Sequence, residues 1–186
     1  MAAAAGLHGR CQLAARHRRR RQPFLCAGQA LVLQVAAALA ASGLAPDRLE
    51  LEVTESVLMQ DTSDTIATLH QLREFGVRLA MDDFGTGYSS LSYLRTFPFD
   101  KIKIDKSFID HIFEKEDCVT IVQAVTMMAQ RLGMTTVAEG VETDDQWRKV
   151  TELGCTEMQG YLISRPQPAH ELMRLLLERT WAMSAA

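Results

Sequence analysis

Residues 80–91 read AMDDFGTGYSSL: two adjacent carboxylates, Asp82 and Asp83, close an apolar run, and a glycine-spaced turn follows. Hard oxygen donors at the end of a strand suit a divalent cation such as Mg2+ or Mn2+. A kinase would use Asp-Phe-Gly to hold magnesium. That reading needs a His-Arg-Asp-type loop upstream and a glycine-rich loop with a strand lysine, and the sequence supplies neither. A dinucleotide fold would wrap Gly85 and Gly87 around phosphate, with Asp105 at a tolerable distance for the ribose acid, but Ser90 stands where the third glycine belongs. Two carboxylates beside that turn would also repel a pyrophosphate.

The elements that position these acids follow from periodicity. RLELEVTE (48–55), VRLAMD (77–82), KIKID (101–105), TTVAEG (135–140) and EMQGY (157–161) read as strands. Between them lie helical patterns: DTIATLHQLREFG (64–76), a short segment near Ser89–Arg95, DCVTIVQAVTMMAQRLG (117–133) with Asp117 as N-cap and Gly133 as stop, DDQWRKVTELG (144–154) and AHELMRLLLERTW (169–181). Five strand-helix units in series predict parallel strands, in a doubly wound sheet or a (β/α)8 barrel. Ahead of them, Leu31, Val35 and Leu39 form the stripe of an amphipathic helix that Gly43 ends.

Alternation within the strands decides between the two architectures. If Leu49, Leu51 and Val53 face the helices, Glu50 and Glu52 face the other way, and the same parity turns Asp82, Lys101, Lys103, Asp105 and Glu139 inward. Four consecutive strands thus aim a charged residue inward near their C-terminal ends. A sheet covered by helices on both faces would have to bury those charges at several kcal/mol each, whereas the mouth of a barrel can use them. The inward set is Glu52, Asp82, Lys103 and Glu139, with Glu55, Asp83, Glu142 and Gln159 just beyond. No histidine lies among them, so Mg2+ or Mn2+ is favoured over zinc. Asp82 can bridge two ions while Asp83 completes one shell. Two ions about 3.5–4 Å apart would activate water and stabilise the leaving oxygen in a phosphodiester hydrolysis.

Composition sets the frame. At 186 residues, 47% hydrophobic and 23% charged, the chain is ordinary for one soluble domain. Residues 1–46 hold six arginines and no acid. The remaining residues carry the other 14 Lys and Arg against all 23 Asp and Glu, a balance of −9 that suits metal binding better than a nucleic-acid groove. Cys11, Cys26, Cys118 and Cys155 form no Cys-x-x-Cys pair, which points to reduced thiols in a cytoplasm. RHRRRRQ (16–22) followed by LVLQVAAALAAS (31–42) imitates an export signal. The late start of the basic run and the weak, glutamine-interrupted apolar segment favour a core helix instead, and exclude a membrane span.

LELEVTES, AMDDFGTGYSSL, KIKIDKSFI, TTVAEGVET and EMQGYLISRP, in this order and spacing, resemble the EAL-domain family of bacterial cyclic di-GMP phosphodiesterases. The resemblance implies a modified (β/α)8 barrel and Mg2+- or Mn2+-dependent hydrolysis of cyclic di-GMP to pGpG. It implies that Glu52, Asp82, Asp83 and Glu139 are metal ligands or partners of the attacking water, and that Lys103 positions that water. Glu55 resembles the glutamate that holds the loop after Asp83, and Glu142 and Gln159 resemble the remaining site residues. Gln159 and Asp105 are the candidate substrate contacts. Phe84–Ser90 looks like the loop that couples metal binding to dimerisation and substrate, so a homodimer through that loop is implied.

Two departures qualify this. The family's Glu-Ala-Leu segment, whose glutamate is a ligand, has no counterpart in the 186 residues, and RHRRRRQ stands where an Asn-x-Ser-type strand with a further ligand is expected. The expectation is therefore α/β with an incomplete (β/α)8 TIM-type barrel: about five C-terminal strand-helix units plus an N-terminal helix. Residues 1–28 are read as a basic, disordered segment outside the fold, reflecting a truncated or shifted frame, and residues 29–182 as a partial domain. Turnover by this chain is expected to be weak. The alternative is an inactive module that binds the nucleotide or a protein. A third expectation is that another chain supplies the missing strands.

Overall fold

The computed structural model describes residues 28–58, 62–85, 94 and 96–166. The basic segment 1–27, most of the loop after Phe84, most of the helix expected near Ser89–Arg95 and the closing helix at 169–181 lie outside the described residues. In chain order the elements are α1 (Gly28–Ser42), β1 (Glu50–Thr54), α2 (Glu55–Leu58), α3 (Thr62–Glu74), β2 (Arg78–Phe84), β3 (Lys101–Ile104), α4 (Lys106–Asp110), α5 (Glu116–Arg131), β4 (Thr135–Glu139), α6 (Asp144–Glu152) and β5 (Glu157–Gln159).

All five strands are parallel and pair in sequence order, β1-β2-β3-β4-β5. A doubly wound sheet reverses its strand order at a switch point, and this one does not, so the expected barrel arrangement holds. Among the described residues β1 and β5 do not pair, which leaves the barrel incomplete, with one edge at each.

Side-chain parity divides the sheet into two faces. Leu79, Met81, Ile102 and Ile104 are fully buried toward the helices, where they join Leu72 and Val122 in the main apolar cluster. Each such side chain contributes about 1.5–3 kcal/mol through its removal from water. The concave face carries the alternate residues Glu50, Glu52, Lys101 and Lys103, as the sequence pattern requires.

The helices follow the expected pattern with three corrections. The buried stripe of α1 is Val32, Val35 and Leu39; Leu31 is at its margin, because the helix rotates to pack Val32 against the core beside α3. The N-cap of α5 is Lys115. Asp117 lies inside the first turn beside Glu116, where a carboxylate complements the helix dipole, and its Oδ1 accepts from Cys118 N at 2.9 Å. Neither α2, which Glu55 opens where the first strand was expected to end, nor α4 was foreseen. Asp105 caps α4 by accepting from Ser107 N at 3.0 Å, an Asp-x-Ser pattern that sits directly after KIKI and so escaped notice behind the strand signal.

Candidate metal centre

Strand β2 runs two residues beyond the expected end, and its last turn is irregular. Pairing with β3 slips between Met81 and Phe84, and Asp83 has φ 54, the one non-glycine residue with positive φ among the described residues. A regular strand would send Asp83 to the face opposite Asp82. The bulge and left-handed backbone turn it back, so that carboxylate oxygens of Asp82, Asp83 and Glu139 all lie within 4.8 Å of one another. Strain at such a position is typical of sites where geometry is held for function.

Lys103 is the hub of the concave face. Its Nζ sits 2.8 Å from Glu52 Oε1, 2.8 Å from Asp82 Oδ1 and 2.8 Å from Glu139 Oε1, and the residue is only 6% exposed. Burial alone would favour the neutral amine, but hydrogen bonds with Asp82, Glu139 and Glu52 outweigh it and raise the pKa above the usual lysine value. Glu139 is raised by burial, against which the Lys103 hydrogen bond works, and repulsion from Asp82 and Glu52 adds to the rise. Asp83 is raised by burial and then by repulsion from Asp82 and Asp105. Four carboxylates around one ammonium leave excess negative charge that a divalent cation would neutralise, and an all-oxygen donor set suits Mg2+, Mn2+ or Ca2+.

The other expected residues surround this centre without entering it. Glu55 is 4% exposed at the start of α2, directly after β1. Gln159 ends β5 beside Glu139, in register and exposed. Asp105 uses Oδ1 to cap α4, which ties it to the rim rather than aiming it down the concave face. Glu142 pairs with Lys106 at the rim. Its backbone N–H donates to Gln146 Oε1, which also closes a capping box with Thr143 at the start of α6. Lys106 was missed; its position three residues after Lys103, as the first residue of a short helix, carried no strand-parity signal.

A second charged layer lies below the first, toward the strand N-termini. Lys101 Nζ contacts Glu50 Oε2 at 3.0 Å and Glu157 Oε2 at 2.9 Å. Glu50 and Lys101 were expected to face inward but without a task, and Glu157 was not singled out, although Glu-x-Gln in EMQ repeats the alternation.

The EAL domain family profile matches residues 20–166. The curated cyclic di-GMP phosphodiesterase NbdA of Pseudomonas aeruginosa is 49% identical over 156 residues, which is 84% of this chain and 20% of that protein. The chain spans about a fifth of the length of most of the curated relatives it matches. Among solved structures, the PaMucR phosphodiesterase in its c-di-GMP complex, from P. aeruginosa, superimposes with TM-score 0.76 at 43% identity, covering 82% of this chain and 62% of that one. Klebsiella pneumoniae BlrP1, solved as a manganese and cyclic di-GMP complex, gives TM-score 0.69 at 40% identity over 74% of this chain and 35% of that one.

Proposed function

The chain belongs to the EAL-domain family, and from that premise we propose that it acts on cyclic di-GMP as a metal-dependent phosphodiesterase domain, opening the ring to linear pGpG. The observation that carries this is the convergence of Glu52, Asp82 and Glu139 on the buried Lys103, with Asp83 turned into the same cluster. The names of NbdA and PaMucR, and the manganese and cyclic di-GMP in the BlrP1 complex, support the same substrate and a divalent ion.

Asp82, Asp83 and Glu139, with Glu52 beside them, would hold Mg2+ or Mn2+. Bound ions of this kind lower the pKa of water and offset the charge of a phosphodiester. The chain's own residues orient the reactants. Lys103 stays protonated, and its three N–H donors are taken by Glu52, Asp82 and Glu139; a donor that one of these carboxylates gives up on turning to an ion would be free to hold the attacking water or a phosphate oxygen in line. Glu55, buried at the start of α2, would be the glutamate that holds the loop following Asp83. Glu142 with Lys106, and Asp105 and Gln159, form the rim over which the dinucleotide lies. A cytoplasmic location suits the thiols Cys118 and Cys155, which are free, and a homodimer through the segment after Asp83 belongs to the same reading.

Turnover by these 186 residues alone is weak in this reading, because the sheet is open at β1 and β5 among the described residues and a closed barrel, whose C-terminal face would hold the substrate, needs about eight strands. The same open edges favour a second reading, a module that binds cyclic di-GMP without cleaving it. Incubation with cyclic di-GMP and Mn2+, following pGpG, separates the two. Slow, Mn2+-dependent product formation that Asp82→Ala abolishes is the expected result. Binding without product supports the second reading, and neither binding nor product overturns both.

A further inference from the structure

Lys101 opens β3, the central strand, and its Nζ reaches both edges of the sheet. It lies 3.0 Å from Glu50 Oε2 on β1, with Glu50 Oε1 accepting a hydrogen bond at 3.3 Å, and 2.9 Å from Glu157 Oε2 on β5. Neighbouring strands lie about 4.8 Å apart, so five strands in a flat sheet would hold β1 and β5 about 19 Å from each other. Side chains stand nearly perpendicular to a sheet, so glutamates that far apart cannot share one ammonium unless the sheet is rolled. Lys101 and Glu50 are each about 7% exposed, which makes the contact strong for an ion pair and its loss costly.

The upper layer repeats the lower one at an offset of two residues: Glu52 follows Glu50, Lys103 follows Lys101, and Gln159 follows Glu157. At about 3.3 Å of rise per residue, the layers are stacked roughly 7 Å apart on the same strands. Any splay of β1 away from β3 at the lower layer therefore carries Glu52 away from Lys103 at the upper one.

We infer that Lys101 is a positioning residue for the metal centre: by joining Glu50 to Glu157 it sets the roll of the open sheet, and that roll brings Glu52, Asp82 and Glu139 together. The inference rests on the metal-centre reading above. It makes a prediction that charge alone reverses. Removal of a cation about 7 Å below a cation site should tighten Mn2+ binding by Coulomb's law, whereas loss of the clamp should weaken it.

The test measures Mn2+ affinity by electron paramagnetic resonance, and amide hydrogen exchange in β1 and β5, on the full chain and on Lys101→Met, Lys101→Arg and Glu157→Gln. Lys101→Met should weaken Mn2+ binding about tenfold, the scale of a residue that orients ligands, and speed exchange in both edge strands. Lys101→Arg, which keeps the clamp, should recover most of both. Unchanged or tighter Mn2+ binding in a folded Lys101→Met chain overturns the inference, as does a loss that Lys101→Arg does not recover. If Lys101→Met does not fold, Glu157→Gln, which keeps the Lys101–Glu50 pair, decides by amide exchange, because losing an anion would weaken Mn2+ binding in any case: faster exchange in β5 beside the weaker Mn2+ binding supports the inference, and unchanged exchange overturns it. A wild-type chain that binds no Mn2+ rejects the metal-centre reading and, with it, the positioning role; faster exchange in β1 and β5 of Lys101→Met would then leave Lys101 as a clamp on the sheet only.

Discussion

Asp83 shares a carboxylate cluster with Asp82, its immediate neighbour in a strand, because its backbone is left-handed at φ 54 where the pairing with β3 slips. A left-handed backbone costs an L-residue about 1–2 kcal/mol and glycine almost nothing. Asp83→Gly should therefore be more stable than Asp83→Ala, since both remove the same carboxylate and only glycine escapes the left-handed penalty, and both should bind Mn2+ more weakly than the wild type. Thermal melts and Mn2+ titration of the two variants check this; a less stable glycine variant would mean the backbone is not strained.

Lys103 holds three carboxylates that burial would otherwise set against one another. Lys103→Met should destabilise the metal-free chain by about 3 kcal/mol, the lower end for breaking a buried ion pair because its partners are partly exposed. A divalent ion can take over the neutralising charge. Mn2+ should accordingly restore more stability to Lys103→Met than it adds to the wild type, as read from denaturation with and without the ion.

Metal binding should weaken as pH falls, beginning above the ordinary carboxylate range near about 4. Burial raises the pKa of both Asp83 and Glu139, so they take up protons earlier than exposed acids, and an ion must displace those protons to bind. The folding stability of the metal-free chain has the opposite sign. An acid whose folded pKa is raised binds its proton more tightly when folded, so these two groups add stability as they protonate. Mn2+ affinity and unfolding free energy measured at the same pH values should move in opposite directions as these groups titrate.

Gly160 lies where β5 crosses the loop after β4. A Cβ there would overlap Val141 O and Val141 N, backbone atoms that cannot swing aside because Val141 N donates to Gln159 O and its carbonyl accepts from Leu162 N. Gly160→Ala should cost about 3 kcal/mol or more as an overpacked contact. It should also separate Gln159 from Glu139. Calorimetry gives the first and Mn2+ affinity the second.

Most of the concave face was legible because alternation in a strand is strict. Glu52, Lys103 and Glu139 stand where period two puts them, and Leu79, Met81, Ile102 and Ile104 bury on the opposite face. The position of Asp83 within the cluster was legible only as adjacency, since a bulge breaks the period that would have located it. Asp105 illustrates the limit of parity: counted as the next inward residue, it belongs instead to the cap of α4, where a hydrogen bond to Ser107 N decides its direction. A rolled sheet was expected from the inward charges, but the contact that holds the roll was not legible. It depends on Lys101 reaching two strands far away in sequence, Glu50 and Glu157, and no local pattern encodes such a contact.

Asp82, Asp83 and Glu139 together are the candidate divalent-metal site. Isothermal titration of Mn2+ into the purified chain, with Asp82→Ala and Glu139→Ala alongside, tests it most directly. The wild type should bind Mn2+ saturably, and each substitution should weaken binding by at least about tenfold, since each would remove an oxygen ligand for which the others cannot substitute. Mn2+ binding of equal strength in all three chains, or none in the wild type, would contradict it.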